Sequence, residues 1–366
     1  MLEVFTSFKI FTGEQWLTDF AVLAEDNIIQ AVLPKKNIPE NAQITDYGDY
    51  FLAPCFIDIQ IYGAYNVLLS VDPTPATLLK MYEYCKQGGA PYFQPTVATN
   101  SYEVFYKCID AVKDYWNAGG KGVIGLHIEG PWISKEKKGA HIEACIHSPT
   151  LEQAKALLEY GKGVITMITL APEVCSKEVV ALVQSYGVIV SAGHSNATYE
   201  QATNAFDKGI VAATHLYNAM SPLQHRAPGV VGAIMQHAAV KSSIVADGYH
   251  VDFAAVSIAK KVMDDRLFYI TDAVAETQQG PYPHTLEGDK YVANGILSGS
   301  ALTMAKCVKN GVERAGIELS ESLRMASLYP AQVMKLDQQL GRIAKGYKAD
   351  FVVMDDNLEI VVESAS

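Results

Sequence analysis

The chain has 366 residues, 49% of them hydrophobic and 19% charged, and carries a formal net charge of −11. That balance describes an ordered globular chain and excludes a disordered one; with no basic cluster beyond Lys135-Glu136-Lys137-Lys138 it argues against nucleic acid as a partner. No run approaches the ~20 apolar residues of a membrane span, the N-terminus lacks the pattern of a secretory signal, and the six cysteines contain no C-x-x-C, so a cytoplasmic protein with reduced thiols and no membrane partner is expected.

Residues 1–50 read as short strands: Phe5 to Thr12, Asp19 to Glu25 and Ile28 to Pro34. The far C-terminus repeats that texture in Asp350 to Asp355 and Leu358 to Val362. Strand-rich segments at both ends of an α/β chain predict one small β-sandwich domain assembled from residues 1–50 and 340–366.

Between them the period changes. Apolar strand-like runs occur at Phe51–Ile59, Pro91–Val97, Gly122–Ile128, Gly163–Leu170, Gly187–Ala192, Gly209–Thr214, Ser242–Ala246 and Leu267–Thr271. Helical spacing of apolar residues separates them in Thr74–Lys86, Glu103–Trp116, Leu151–Tyr160, Ala197–Asp207 and Phe253–Met263. Eight such units over 51–339 predict an α/β fold of the (β/α)₈ TIM-like barrel type, whose functional groups gather at the C-terminal strand ends. A doubly wound open sheet fits less well, because no G-x-G-x-x-G follows the first strand.

The residues at those ends make a short inventory. The first strand ends in Asp58-Ile59-Gln60 and the third in His127-Ile128-Glu129-Gly130-Pro131; His194, His215, Asp247 with His250, and Asp272 end the fifth to eighth. Glu129, His194 and His215 form a plausible His₂Glu set that would hold one catalytic zinc and leave a position open for water, whose pKa the metal would lower towards about 7. Asp272 is then placed to move a proton between that water and a leaving group. Each residue alone has a simpler reading: a strand-end histidine held by hydrogen bonds, Glu129 capping a turn, Asp272 capping a helix. His127, two residues from Glu129 on the same strand face, reads as structural.

The chain resembles the N-acetylglucosamine-6-phosphate deacetylases of the amidohydrolase superfamily along essentially its whole length. The motifs are P-C-F-I-D-I-Q at 54–60, H-I-E-G-P at 127–131, K-G-A-H at 138–141, G-H-S-N-A-T at 193–198, T-H-L-Y-N-A-M at 214–220, A-D-G-Y-H at 246–250, I-T-D-A at 270–273 and L-S-G-S-A-L-T-M at 297–304. The resemblance implies hydrolysis of N-acetylglucosamine 6-phosphate to glucosamine 6-phosphate and acetate. It implies Glu129, His194 and His215 as ligands of one divalent metal per chain, Zn²⁺ by default, with Asp272 as catalytic base and acid and His141 polarising the amide carbonyl. It also implies substrate contacts at Gln60, Ala140, His141, Asn218, Ala219, His250, Leu297, Ser298 and Gly299, and a homodimer in which Arg226 reaches the sugar phosphate across the interface.

The chain departs from the family pattern in places. Where many amidohydrolases carry H-x-H, supporting a second metal, this one has Gln60-Ile61-Tyr62, which favours a single ion. Cys55 stands where glycine is usual, and Tyr62 and Tyr65 are expected to narrow one side of the mouth. Two rival functions remain at this level: an amidohydrolase for a different N-acyl substrate, and a non-catalytic sugar-phosphate sensor. A sensor would be expected to lack a ligand or the acid, and none of Glu129, His194, His215 or Asp272 is missing.

Overall fold

The structure is a computed structural model that describes residues 2–293 and 295–362, so residues 363–366 of the expected C-terminal segment lie outside the described residues. Eight parallel strands follow one another in chain order: Ile57–Ile61, Tyr92–Ala98, Leu126–Glu129, Ile165–Leu170, Ile189–Ala192, Ala212–Ala213, Lys241–Ile244 and Leu267–Tyr269. Beyond the last, the backbone runs beside the first: Asp272 N–H donates to Gln60 O at 3.0 Å and Tyr62 N–H to Ala273 O at 2.9 Å. These bonds close the sheet into a barrel.

Helices cover the outside because their apolar residues recur every three or four positions. Tyr102–Asn117, for example, buries Phe105, Cys108, Ile109, Val112 and Tyr115 against the strands. Their starts are set by side-chain caps: Thr150 and Thr198 each accept from the backbone N–H three residues on, with Gln153 and Gln201 returning the bond. Among the described residues no helix is long and apolar enough to cross a membrane.

Two small mixed sheets pack on the barrel's flank. One holds Leu2–Thr6, Phe20–Glu25, Ile28–Pro34 and Gln43–Asp46; the other holds Lys9–Phe11, Trp16–Thr18, Phe51–Pro54, Phe351–Met354 and Ile360–Val362. Their facing sides share one apolar cluster, Val22, Ala24 and Ile29 against Ile10, Leu52, Phe351 and Val353, so strands from both chain ends enclose one sandwich core.

Two strand expectations need correction, and one set of strands is additional. The run Phe51–Ile59 is two strands: Phe51–Pro54 pairs with Phe351–Met354 in the sandwich, and the barrel begins only at Ile57. At the break Cys55 N–H turns to Asp350 O and Phe56 N–H to Gly89 O, handing the backbone from one sheet to the next. Phe5 to Thr12 likewise divides at Ser7-Phe8, its halves lying in different sheets. An antiparallel hairpin extension, Thr285–Glu287, Lys290–Ala293 and Ile296–Ser300, is inserted after the eighth barrel strand and has no counterpart in the sequence reading.

Candidate active site

Glu129 ends the third strand, whereas His194, His215 and Asp272 each lie just past a strand end with φ of 46°, 39° and 54°. Non-glycine residues rarely adopt this left-handed conformation, and histidine and aspartate tolerate it better than most. Gly193 allows the fifth strand to end this way: a Cβ there would come within 2.6 Å of Thr169 Cγ2.

Three of these side chains converge at one point. Glu129 Oε1 stands 3.3 Å from His194 Nε2 and 3.1 Å from His215 Nε2, and the two nitrogens are 3.1 Å apart. Ligands placed tetrahedrally about a zinc ion at its usual bond lengths lie roughly 3.3 Å from one another, so the triangle has the size of one metal face. His141 is close as well, with Nε2 3.2 Å from Glu129 Oε2, and Glu129, His141 and His194 together meet the distance requirement for a metal site.

Hydrogen bonding separates the imidazoles. His194 Nδ1 faces the carbonyl of Lys137 at 2.9 Å and must donate to it, which leaves a lone pair on Nε2. His141 is the reverse. Its Nδ1 lies 2.7 Å from the Thr99 hydroxyl and 3.3 Å from the Thr99 N–H, which only donates, while its Nε2 faces the Glu129 carboxylate, which only accepts; with Nδ1 accepting and the ring proton on Nε2 both neighbours are satisfied. His194 is therefore set as a ligand and His141 as a donor. His215 Nδ1 is buried without a partner among the described residues, and that ring is steadied by its edge contact with His194, centroids 4.8 Å apart.

Electrostatics follow from this crowding. Burial alone would raise the Glu129 carboxyl, but His194, His141 and His215 overcome it and hold it well below the usual range. Burial pushes His194 down to about 4, with His141 adding to the effect. Asp272 is raised, first by burial and then by the Glu129 charge, against the opposing pull of His215. His127 lies beneath the cluster, bonded to Thr96 at 3.3 Å and Thr169 at 2.7 Å, and burial holds it near 4.

Gln60 and Tyr62 complete the floor. Gln60 Nε2 reaches Asp272 Oδ1 at 2.8 Å, Tyr62 Oη at 2.8 Å and Glu129 Oε1 at 3.3 Å. Gln60 thus turns its amide to the acids and does not line the cavity above them. Ala140, His141, Asn218, Ala219, His250, Leu297, Ser298 and Gly299 do line it, together with Glu129, His194, His215 and Asp272. His250 is steered by Asp247, whose Oδ2 lies 2.6 Å from its Nδ1 while Oδ1 accepts from the backbone N–H of Tyr249 and of His250.

Arg226 is not part of this wall. It is exposed, and among the described residues it has no hydrogen-bond or ion-pair partner; Leu223 beside it is 54% exposed. Tyr65 is also elsewhere, 45% exposed with its hydroxyl on Gln87, so only Tyr62 of the two tyrosines narrows the mouth. Tyr282 and His284, from the chain leading into the hairpin extension, line the cavity and were not foreseen. Tyr282 donates to Thr99 O at 2.6 Å, and His284 Nδ1 meets Ser298 Oγ at 3.0 Å. Only the length of chain between the eighth strand and the next helix hinted that something is inserted there.

Comparison with known proteins agrees with this geometry. Residues 51–365 match the model of the amidohydrolase family, and residues 4–48 match that of the NagA composite domain. N-acetylglucosamine-6-phosphate deacetylase of Haemophilus influenzae is 37% identical over 96% of this chain and 95% of its own. N-acetylgalactosamine-6-phosphate deacetylase of Escherichia coli O157:H7 is 30% identical over 98% and 97%. The crystal structure of N-acetylglucosamine-6-phosphate deacetylase from Pasteurella multocida superposes with a TM-score of 0.94 at 35% identity, covering 99% of this chain and 97% of that one. With the family model matched over most of the chain and a relative and a solved structure matched over nearly all of it, the chain belongs to the amidohydrolase family, in its branch of N-acetylglucosamine-6-phosphate deacetylases.

Proposed function

We propose that the protein hydrolyses the acetamide of N-acetylglucosamine 6-phosphate, giving glucosamine 6-phosphate and acetate. The observation that carries this reading is the Glu129–His194–His215 triangle opening, with Asp272 and the His141 donor, into one cavity that also holds His250. The triangle's nitrogen and oxygen donors suit one Zn²⁺ per chain, which when bound would polarise the acetyl carbonyl and bring the pKa of water towards neutrality.

The chain's own residues supply the rest. Asp272 takes the proton from water as its oxygen bonds to the acetyl carbon. Burial, which raises the proton affinity of this carboxyl, suits it to carry that proton to the sugar nitrogen as the C–N bond breaks. His141 Nε2–H donates to the carbonyl oxygen as negative charge develops on it. Asn218, Ala140, Ala219 and the stretch Leu297-Ser298-Gly299 hold the sugar, and His250, braced by Asp247, meets the phosphate.

Among the described residues no arginine lines the cavity, and Arg226 is exposed and without a partner. We therefore read the working form as a homodimer in which Arg226 of each subunit completes the other's site; its fork of charged donors suits a phosphate dianion. The sandwich of residues 1–50 and 340–366, with Phe51–Pro54 as the strand leading into the barrel of 51–339, is read as a supporting domain. A phosphorylated substrate argues for a cytoplasmic enzyme.

The test is acetate release from N-acetylglucosamine 6-phosphate, N-acetylgalactosamine 6-phosphate and unphosphorylated N-acetylglucosamine, with metal content measured on the same preparation. Turnover of the first alone, with about one zinc per chain, is expected. Preference for the galactosamine ester would establish a second reading, which the E. coli O157:H7 relative favours. No acetate from any of the three would leave a different N-acyl substrate or a sensor.

A further inference from the structure

The hydroxyl of Tyr62 ends inside the Glu129 cluster with both of its hydrogen-bonding roles filled. It accepts from Gln60 Nε2 at 2.8 Å and donates to Glu129 Oε2 at 2.5 Å. A carboxylate only accepts, so the phenolic proton lies between Tyr62 and Glu129. His141 Nε2–H reaches the same oxygen at 3.2 Å. The two oxygens of Glu129 are thereby divided: Oε1 faces the nitrogens of His194 and His215, with Gln60 Nε2 3.3 Å away, and Oε2 is occupied by the Tyr62 hydroxyl.

An undirected carboxylate at such a site has other options. It can grip one cation with both oxygens, or bridge two cations 3.5–4 Å apart, roughly the spacing in two-metal hydrolases. Neither option is open while Oε2 accepts from Tyr62. Tyr62 lies two residues after Gln60 at the end of the first strand, and neither side chain offers an imidazole to a second ion.

We propose that Tyr62 is a positioning residue: its hydroxyl reserves Glu129 Oε2, so that the carboxylate presents one oxygen to one divalent cation and none to a second. This rests on the metal reading of the cluster given above. Tyr62 acts through Glu129, and its predicted effect is on how many cations are bound and how tightly.

Metal-free wild-type protein and Tyr62→Phe, which keeps the ring and removes one oxygen, are titrated with Zn²⁺ in competition with a chromophoric chelator. The wild type binds one equivalent. Tyr62→Phe binds its first equivalent roughly 10–100-fold more weakly, the usual scale for losing a partner of a metal ligand, or takes up a second. One equivalent at wild-type affinity in Tyr62→Phe overturns the proposal. A wild type that binds no zinc overturns the metal reading and this proposal with it, a result distinct from the first. In a Glu129→Gln background, adding Tyr62→Phe changes zinc affinity no further if Tyr62 works through Glu129; a full additional loss overturns the proposal. Melting curves of the metal-free forms separate lost folding from lost binding. Tyr62→His gives an independent reading if the Phe variant does not fold: its stoichiometry rises above one, and a stoichiometry held at one counts against the proposal.

Discussion

Gln60 and Asp272 meet across the seam that closes the barrel. The amide Nε2 of Gln60 lies 2.8 Å from Asp272 Oδ1, and the backbone N–H of Asp272 donates to Gln60 O at 3.0 Å. One step below, Asp58 accepts from the Thr271 hydroxyl at 2.5 Å across the same seam. The contact that closes the fold thus also aims the carboxyl, and barrel integrity and acid-base geometry depend on the same few atoms.

Asp272→Asn keeps the shape and the closing backbone bond but cannot carry a proton. Turnover is expected to fall by about 10²–10⁴-fold, the usual worth of a placed general acid-base, while zinc per chain stays unchanged. Gln60→Leu should lower turnover by roughly 10–100-fold, because a hydrogen bond to a charged group is worth about 1.5–3 kcal/mol. Steady-state kinetics beside metal analysis decides both; undiminished turnover of Asp272→Asn would remove it from the proton path.

Much of this site is legible in the sequence because a parallel barrel brings every C-terminal strand end to one mouth. His194 and His215 could be placed from the apolar runs before them, and Glu129 and Asp272 from theirs. What stayed hidden depends on three dimensions. The donor character of His141 comes from Thr99, 42 residues away, and no spacing rule links them. Tyr62 stands on the same strand face as Gln60, so its presence near the site was readable, but its bond to Glu129 was not. The break inside Phe51–Ile59 was masked because both halves are buried throughout, and its one mark in the sequence is Pro54, which cannot donate to a sheet ladder. The hairpin at Thr285–Ser300 escaped for the opposite reason: its first strand is wholly exposed and only three residues long, too short to establish a period.

The tautomer assignments predict different fates for neighbouring histidines. His141→Gln should retain zinc and lose about 10²–10³-fold in turnover, as expected for loss of an oxyanion donor. His194→Ala and His215→Ala should lose the metal itself. Zinc content after dialysis separates the cases, and a zinc-free His141→Gln would make His141 a ligand.

Acid stability should report on Glu321. Its carboxylate takes bonds from Arg324 Nε at 2.7 Å and Tyr329 Oη at 2.7 Å and pairs with Lys260. Burial would raise its pKa, but Lys260, Tyr329 and Arg324 outweigh this and leave it below the ordinary 4.5. A lowered carboxyl stabilises the fold above its unfolded pKa, and that stabilisation is lost as pH falls through the folded value. Glu321→Gln should therefore cost about 2 kcal/mol at pH 7, and the gap should close as pH drops below 4.5. Denaturant unfolding of both proteins between neutral and acid pH measures it, and a gap that stays constant would exclude this carboxylate as the cause.

The reach of Arg226 into a neighbouring subunit can be tested by complementation. Arg226→Ala should raise KM for the phosphate ester at unchanged zinc content, because the variant loses an anion contact and nothing at the Glu129 cluster. Asp272→Asn is expected to lose turnover for a separate reason. In a mixed dimer of the two, the site built on the Arg226→Ala chain keeps its own Asp272 and receives Arg226 from the Asp272→Asn chain. That site is whole, and its partner lacks both. Differently tagged chains, co-expressed and purified through both tags, should therefore show roughly half of wild-type turnover with wild-type KM, as a two-fold dimer with exchanged arginines requires. If Arg226 served its own chain, every site in the mixed dimer would carry one defect, and the wild-type KM would not return.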